Sequence, residues 1–252
     1  MTTLNIVLVG GTGSIGRLVA RVAQAAGHSI RILSRHDGEN VVVGDLTDAS
    51  TLTDAVRDID AVIFTHGTHG GETGFRDVDY GGVRSVLEAI GDRPVRIALM
   101  TAIGVTYREG SNSRATVSHD WKRRSERLVR ASGHPYTIVR PAWFDYNDDD
   151  QHELHFLQGD TRHAGSPADG AIARSQIAEV LVASLTSDAA KSKTFELNAE
   201  HGPAQSDLDP LFGELAADVE LDGAKDAENM PVSAEPADVV ADLERIRALR
   251  AE

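Results

Sequence analysis

Near the N-terminus stands Gly10-Gly11-Thr12-Gly13-Ser14-Ile15-Gly16, which satisfies Gly10-x-x-Gly13-x-x-Gly16 and, in an overlapping frame, Gly11-x-Gly13-x-x-Gly16. Glycine is demanded where a chain turns tightly out of a strand, where backbone must approach a pyrophosphate, and where helix and strand pack closely. Exposed amides and the positive end of a following helix then hold phosphate oxygens. A second group of residues bears on which nucleotide such a turn would serve. Ser34-Arg35-His36 closes the second aliphatic run, where an acidic residue would bond ribose hydroxyls and a basic one a 2′-phosphate. Asp37 lies too far round the loop, and Arg35 can make charge-assisted bonds to phosphate. These residues favour NADP(H), with NAD(H) the other reading; an ordinary solvated arginine would be the plain alternative for Arg35.

The elements that must position this chemistry follow from periodicity. Leu4 to Val9 is a continuous aliphatic run, as in a strand buried on both faces. Ile15, Leu18, Val19, Val22 and Ala26 then recur at helical spacing, with Gly27 as a stop. Further strands are predicted at 29–33, 41–43, 61–64, 95–100, 136–139 and 194–197. Helices are predicted at 50–57, opened by Thr51-x-x-Asp54, and at 77–90, 119–131, 176–185 and 237–250. Strands alternating with helices at this spacing imply an α/β fold, a Rossmann-type doubly wound parallel sheet with a small C-terminal extension. The expected organisation is one domain over 1–252, with a core to about residue 140 and a lid and C-terminal part beyond it. Residues 145–168, rich in Asp, His and Gly, read as a mobile lid over the sheet's C-terminal edge. Residues 204–236 are acidic, alanine-rich and weakly periodic. The apolar face of the last helix must pack on this chain or on a partner, so a homodimer is compatible with it.

Composition narrows the partners. The 252 residues carry a formal charge of −14, which repels nucleic acid and anionic membranes at long range, so neither is expected as a partner. A local pocket can still hold a small anion. The chain has no cysteine, hence no thiolate site or disulfide, and no apolar run long enough to span a bilayer as a helix. Met1-Thr2-Thr3-Leu4-Asn5 lacks a secretory leader's basic and apolar segments, which points to a cytoplasmic protein. No metal site is expected, His152-x-x-His155 being the closest approach to ligand spacing. The basic cluster Lys122-Arg123-Arg124 with Arg127 and Arg130 reads as a solvated helix face.

The chain resembles an atypical short-chain dehydrogenase/reductase of the NmrA-like, NAD(P)H-binding group. The resemblance rests on Val9 to Gly16, Gly44-Asp45-Leu46-Thr47-Asp48, Ile63-Phe64-Thr65-His66-Gly67, Asp79-Tyr80-Gly81-Gly82, Met100 to Val105, Asp120 to Glu126 and Ser132 to Pro141. It implies that Asp45 and Leu46 approach the adenine and that Thr65, His66 and Gly67 lie along the cofactor. It also implies that Pro141 borders the nicotinamide, with Trp143 and Phe144 as an apolar wall for a substrate. For Asp45 a turn or capping carboxylate is the plain alternative; for the aromatic pair it is ordinary core.

In that superfamily a Tyr four residues before a Lys donates the proton, and a Ser or Thr after the fifth strand holds the substrate oxygen. Here Lys122 is present, but Ser118 stands at the Tyr position and Ala102 at the Ser position, with Thr101 beside it. Lys122 and Thr101 are the candidate catalytic residues; Lys122 could instead pair with Glu126 on the helix surface. Replacement donors are Tyr107, Tyr146, His119, His152 and His155, none supported by spacing. The sequence thus implies an NADP(H)-binding oxidoreductase acting on a small ketone or quinone-type molecule. The alternatives are a non-catalytic NADP(H)-sensing regulator and a tailoring enzyme of unusual chemistry.

Overall fold

The computed structural model describes residues 3–108 and 114–250. The short aliphatic runs become strands β1 (Asn5–Val9), β2 (Ser29–Ser34), β3 (Val41–Val43), β4 (Ala61–Phe64), β5 (Arg96–Met100) and β6 (Tyr136–Pro141). Helix α1 (Ser14–Ala25) connects β1 to β2, and α4 (Arg114–Ser132) connects β5 to β6. Between β4 and β5 the chain runs through α2 (Gly71–Gly74), a π-helical turn at Phe75–Tyr80, and α3 (Gly81–Ile90). Then come β7 (Trp143–Phe144), β8 (Glu153–Leu157), β9 (Ala171–Ile172), α5 (Arg174–Ser184), β10 (Lys193–Glu200), α6 (Asp209–Glu214) and α7 (Ala237–Ala248).

The strand order is β3-β2-β1-β4-β5-β6-β10-β9-β7, with β8 antiparallel on β10. From β3 through β6 to β10 every pairing is parallel. This is the doubly wound Rossmann-type sheet that the alternation of elements predicts. The order reverses between β1 and β4, which opens a crevice at their carboxyl ends, where Gly10 follows one strand and Thr65 the other.

Alternation along each strand feeds two apolar layers. Val7, Val9, Val62, Phe64, Ile97, Leu99 and Ile138 pack beneath α3, α4 and α7. Ile6, Leu8, Ile63, Ala98, Val139, Phe195 and Leu197 pack beneath α1, α5 and α6. Both faces are covered, which is why the strands read as unbroken aliphatic runs.

Four sequence expectations change. Residues 50–57 form no α-helix: a 3₁₀ turn covers Ala49–Thr51, and its cap is Asp48, whose carboxylate accepts from the Ser50 amide at 3.1 Å. Thr51 instead turns its hydroxyl onto the Asp48 carbonyl. Residues 145–168 contain a regular strand, β8, in register with β10 from Leu157 opposite Glu196 to Glu153 opposite Glu200. The apolar stripe of α7 (Val239, Leu243, Ile246) is buried in the core beneath α3 and α4, so it gives no argument for a homodimer. No helix among the described residues is long and apolar enough to cross a membrane.

The fourth change is the largest. The basic face of α4 is not solvated: Arg123, Arg127 and Arg130 are buried, and the irregular acidic segment before α7 lies across them. Arg127 bonds Asp222 at 2.9 Å, Glu235 at 2.7 Å and the Met230 carbonyl at 2.6 Å. Arg123 bonds Asn229 at 2.6 Å and the Ala227 carbonyl at 2.8 Å, and Arg130 bonds Asp218 at 3.0 Å. Deeper in, Glu126 accepts from Arg140 at 2.7 Å and from Arg130 at 3.3 Å, while Arg140 also pairs with Asp226 and Glu196. Burial would raise the Glu126 carboxyl, but Arg140 and Arg130 outweigh it and hold the group below its ordinary range. Its contribution is therefore present above the usual glutamate pKa and lost as pH falls through the lowered one. Glu126→Ala leaves two buried guanidiniums short of a carboxylate, a class of change that costs about 3–5 kcal/mol. At roughly 2–4 °C per kcal/mol for a chain of this size, thermal melts of that variant should fall by about 10 °C. A shift within about 2 °C would show that the network contributes little.

Candidate functional site

The glycine turn owes its shape to contacts that no side chain could share. Gly10 has φ +87°, and a Cβ there would meet the His66 amide nitrogen at 2.6 Å and the Thr65 carbonyl carbon at 2.8 Å. A Cβ on Gly16 would meet the Gly10 carbonyl oxygen at 2.2 Å. The turn is thus pressed against the chain leaving β4 on one side and against its own helix on the other. The Gly13 amide closes the turn onto the Gly10 carbonyl at 3.0 Å. Gly13 is also the N-cap of α1 and has no capping side chain, so the first amides of α1 open toward exposed Thr12, Gly13 and Ser14. Ile15 and Gly16 are buried and anchor the turn.

Ser34 ends β2, and its hydroxyl accepts from the His36 amide at 3.2 Å, which turns Arg35 outward. Across the loop, Asp45 accepts from the Thr47 amide at 2.9 Å and hydroxyl at 2.8 Å, and these bonds, helped by the Arg35 charge, hold its carboxyl below the ordinary range. Asp45 is a turn-forming carboxylate beside Arg35. Leu46 folds over α3, where a Cβ on Gly82 would meet its Cδ1 at 3.0 Å and His66 Nε2 at 3.2 Å. Leu46 and His66 thus line one continuous wall next to the cradle.

Beyond β4, the Thr65 hydroxyl donates back to the Val9 carbonyl at 3.1 Å. The His66 ring packs beside Phe64, and its Nε2 donates to the Val78 carbonyl at 3.1 Å. Burial, reinforced by the Lys122 ammonium, pushes the His66 pKa down to about 4, so the ring is neutral. Its buried Nδ1 has no partner among the described residues. Lys122 reaches over from α4 to this loop: a Cβ on Gly67 would stand 3.9 Å from Nζ. Its ion-pair partner is Asp79 at 3.5 Å, not Glu126. Asp79 sits in the π-helical turn, a break that recurs at functional sites, with its carbonyl accepting from Ser125 at 3.2 Å. Burial raises the Asp79 carboxyl against the pull of Lys122, and its Oδ1 has no partner among the described residues.

Thr101 is turned away from this cluster. Its hydroxyl is buried and donates to Glu126 at 2.7 Å, inside the ionic network under α4. His119, three residues before Lys122 on the same helix, lies against Gly104, whose added Cβ would meet His119 Cε1 at 3.3 Å. Burial, with the nearby Lys122 charge, lowers its pKa, so it too is a neutral imidazole.

The cradle, the basic loop end and the lysine thus meet along one edge of the sheet, and residues 10–188 match the model of a family described as NAD(P)H-binding. The chain belongs to the NAD(P)H-binding family. A sugar epimerase of Bacillus subtilis, YhfK, itself uncharacterized, is 27% identical over 223 residues, 82% of this chain and 100% of that protein. Sanguinarine reductase of Eschscholzia californica is 33% identical over 98 residues, 38% of this chain and 35% of that protein. In fold, the chain is similar to the oxidoreductase ylbE of Lactococcus lactis, with TM-score 0.66 and 16% identity over 84% of this chain and 96% of that one. It is also similar to a wide-type short-chain dehydrogenase/reductase of Veillonella parvula solved in complex with NADP, with TM-score 0.58 and 16% identity over 82% and 100%. The family agrees with the NmrA-like, atypical dehydrogenase/reductase resemblance of the motifs.

At the carboxyl end of β6, Pro141 is the buried last residue of the strand, and its carbonyl accepts from the Ile103 amide at 3.2 Å. The two aromatics after it diverge, as neighbours on a strand must. Phe144 packs into the α1–α5 layer beneath the Arg174 guanidinium, while Trp143 is 37% exposed beside Tyr146. Sequence reasoning gave no role to Asp79, Asp160 or Asn198. The signal for Asp79 was a carboxylate among Phe75, Val78, Tyr80 and Val83; for the other two only tertiary contacts identify them.

If the His66 assignment is right, an NMR titration will show its ring as the Nε2–H tautomer, still neutral at about pH 5 where an ordinary histidine is charged. A ring that charges near pH 6.5 would contradict it.

Proposed function

We propose that this chain is an NADP(H)-dependent reductase of a small ketone or quinone-type molecule. Lys122 carries the reading: an ammonium held by Asp79 at 3.5 Å, beside Gly67 and near His66, which its charge helps keep neutral, on the side of the sheet where the glycine turn opens. The site's own features fit a dinucleotide, because the uncapped first amides of α1 open on exposed Thr12, Gly13 and Ser14, and two buried polar atoms, His66 Nδ1 and Asp79 Oδ1, lack partners among the described residues. In this reading Gly10 to Gly16 hold the diphosphate, Ser34 and Arg35 the 2′-phosphate, and Asp45 and Leu46 the adenine end. Thr65, His66 and Gly67 flank the middle, Lys122 bonds the nicotinamide ribose, and Pro141 borders the ring. When bound, the nicotinamide supplies the hydride.

The chain's own part is to orient and to manage one proton. Asp79 fixes the Lys122 ammonium and leaves its remaining N–H groups for ribose oxygens. His119, one turn before Lys122 and against Gly104, is the group assigned to hold a proton for the substrate oxygen. Thr101 has no catalytic part in this reading, because its proton is committed to Glu126. That commitment, with Ser118 where a tyrosine would stand, favours the second reading, a regulator that binds NADP(H) without turnover.

Thermal-shift titration should show stabilisation by NADPH exceeding that by NADH. Arg35→Ala removes charge-assisted bonds worth about 1.5–3 kcal/mol, so NADPH affinity should fall roughly 10- to 100-fold with NADH unaffected. An NADH preference that Arg35→Ala leaves untouched overturns the NADP assignment. With a ketone and quinone panel, turnover should rise toward low pH through a pKa below the ordinary histidine value, and His119→Ala should lose that limb. Tight NADPH binding without turnover on any acceptor selects the regulator instead.

A further inference from the structure

A small cavity lies beside the carboxyl end of β6 and the middle of β10, between the loop after β5 and the segment that follows β8. Its lining includes Ile103, Ala142, Leu157, Arg162, Glu196 and Asn198. It adjoins the proposed reaction site, since Ile103 is bonded to Pro141 and the next residue, Gly104, carries the His119 ring. At about 20 Å³ it has room for one group the size of a hydroxyl or a water.

The polar groups around it divide sharply. Asp160 accepts from the Gly104 amide at 2.6 Å and the Thr106 amide at 2.8 Å; Asp169 accepts from the Ala164 and Gly165 amides at 2.6 and 2.7 Å. Glu196 accepts from Arg140 at 3.2 Å and from the Asp160 amide at 3.0 Å. Asn198 is the exception. It is 2% exposed, its Nδ2 donates to Glu200 at 2.8 Å, and its buried Oδ1 has no partner among the described residues. The Glu200 bond fixes which end of the amide is the acceptor. Burial pushes Glu196 up to about 7, Arg140 pairs with it, and the Arg162 guanidinium shares the wall, so the preference of the cavity rests on the unpaired Asn198 acceptor and not on a net negative charge. Gly170, at φ +120°, lets the chain pass close by, since a Cβ there would meet Asn198 Cβ at 3.0 Å.

We propose that this cavity selects the substrate by receiving a hydroxyl or N–H carried on a ring, bonded to Asn198 Oδ1, while the reducible part of the molecule lies toward Lys122 and His119. The proposal rests on the reductase reading for the placement of the ring, and on the cavity alone for the donor. The wall discriminates against a ring that bears a methoxy or a carboxylate at that position, because neither offers a hydrogen to Asn198 Oδ1.

The test titrates 2-naphthol, 2-methoxynaphthalene and 2-naphthoate into the full chain saturated with NADP⁺, following the Asn198 side-chain amide resonances and the dissociation constants. Naphthol should bind at least about tenfold tighter than either analogue and shift the Asn198 amide, as expected when a buried acceptor gains its donor. Asn198→Leu, similar in volume and without the acceptor, should erase the difference while leaving NADP⁺ affinity intact, which also shows that the variant is folded. Equal binding of naphthol and methoxynaphthalene, or a preference that survives in Asn198→Leu, overturns the proposal. If NADP⁺ does not bind, the reductase reading fails, and the same titration without it still decides whether Asn198 accepts a donor.

Discussion

One buried helix face organises the C-terminal third of this protein. Guanidiniums of Arg123, Arg127 and Arg130 on α4, and of Arg140 on β6, are taken out of water and must each find carboxylates and carbonyls with good geometry. The segment around Asp218, Asp222, Asp226 and Glu235 supplies them, so its path follows from where the arginines point and not from any periodicity of its own. The same network reaches the functional edge of the sheet. Glu126 takes the Thr101 hydroxyl, and Glu196, bonded to Arg140, takes the Asp160 amide, whose carboxylate in turn pins Gly104 and Thr106. The loop after β5 is therefore held from beneath by ions as well as by its apolar residues Ile103 and Val105.

The end of the sheet at the glycine turn is held differently, by the absence of side chains. Gly10 and Gly16 let three backbone segments meet where a Cβ would clash, and this contact brings His66 against the turn. His66 is then buried enough to be neutral, and Lys122 lies close enough to keep it so. The π-helical turn supplies Asp79 as the counter-charge. The exposed glycine turn thus adjoins a half-buried cluster of neutral imidazole, ammonium and carboxylate.

Much of the framework was legible in the residues. The six strands from β1 to β6, α1, and the glycine turn follow from unbroken aliphatic runs, helical spacing and punctuation by glycine, signals that act over a few residues. The misreadings have two causes, distant partners and local competition for the backbone. The basic stripe of α4 looked solvated because local sequence says nothing about a partner some hundred residues away, and the alternative pairing of Lys122 with Glu126, which helical spacing allows, gives way to Asp79 for the same reason. The run at 50–57 lost its helix because Asp48 and Thr51 bond their own backbone, a competition that periodicity does not register. Residues 145–168 looked like a loop because one edge strand gains its hydrogen bonds from β10.

By itself, then, the sequence determined the fold class and the place of the glycine turn, because a strand, a glycine turn and a helix are specified by contiguous residues. Only the tertiary structure decided which charges are buried, that Thr101 is tied to Glu126, that Asp79 is the partner of Lys122, and that Asn198 is left with an unanswered acceptor. Those facts depend on contacts between distant segments in a medium of low polarity, where a single misplaced or unpaired group is costly and its partner can come from anywhere in the chain.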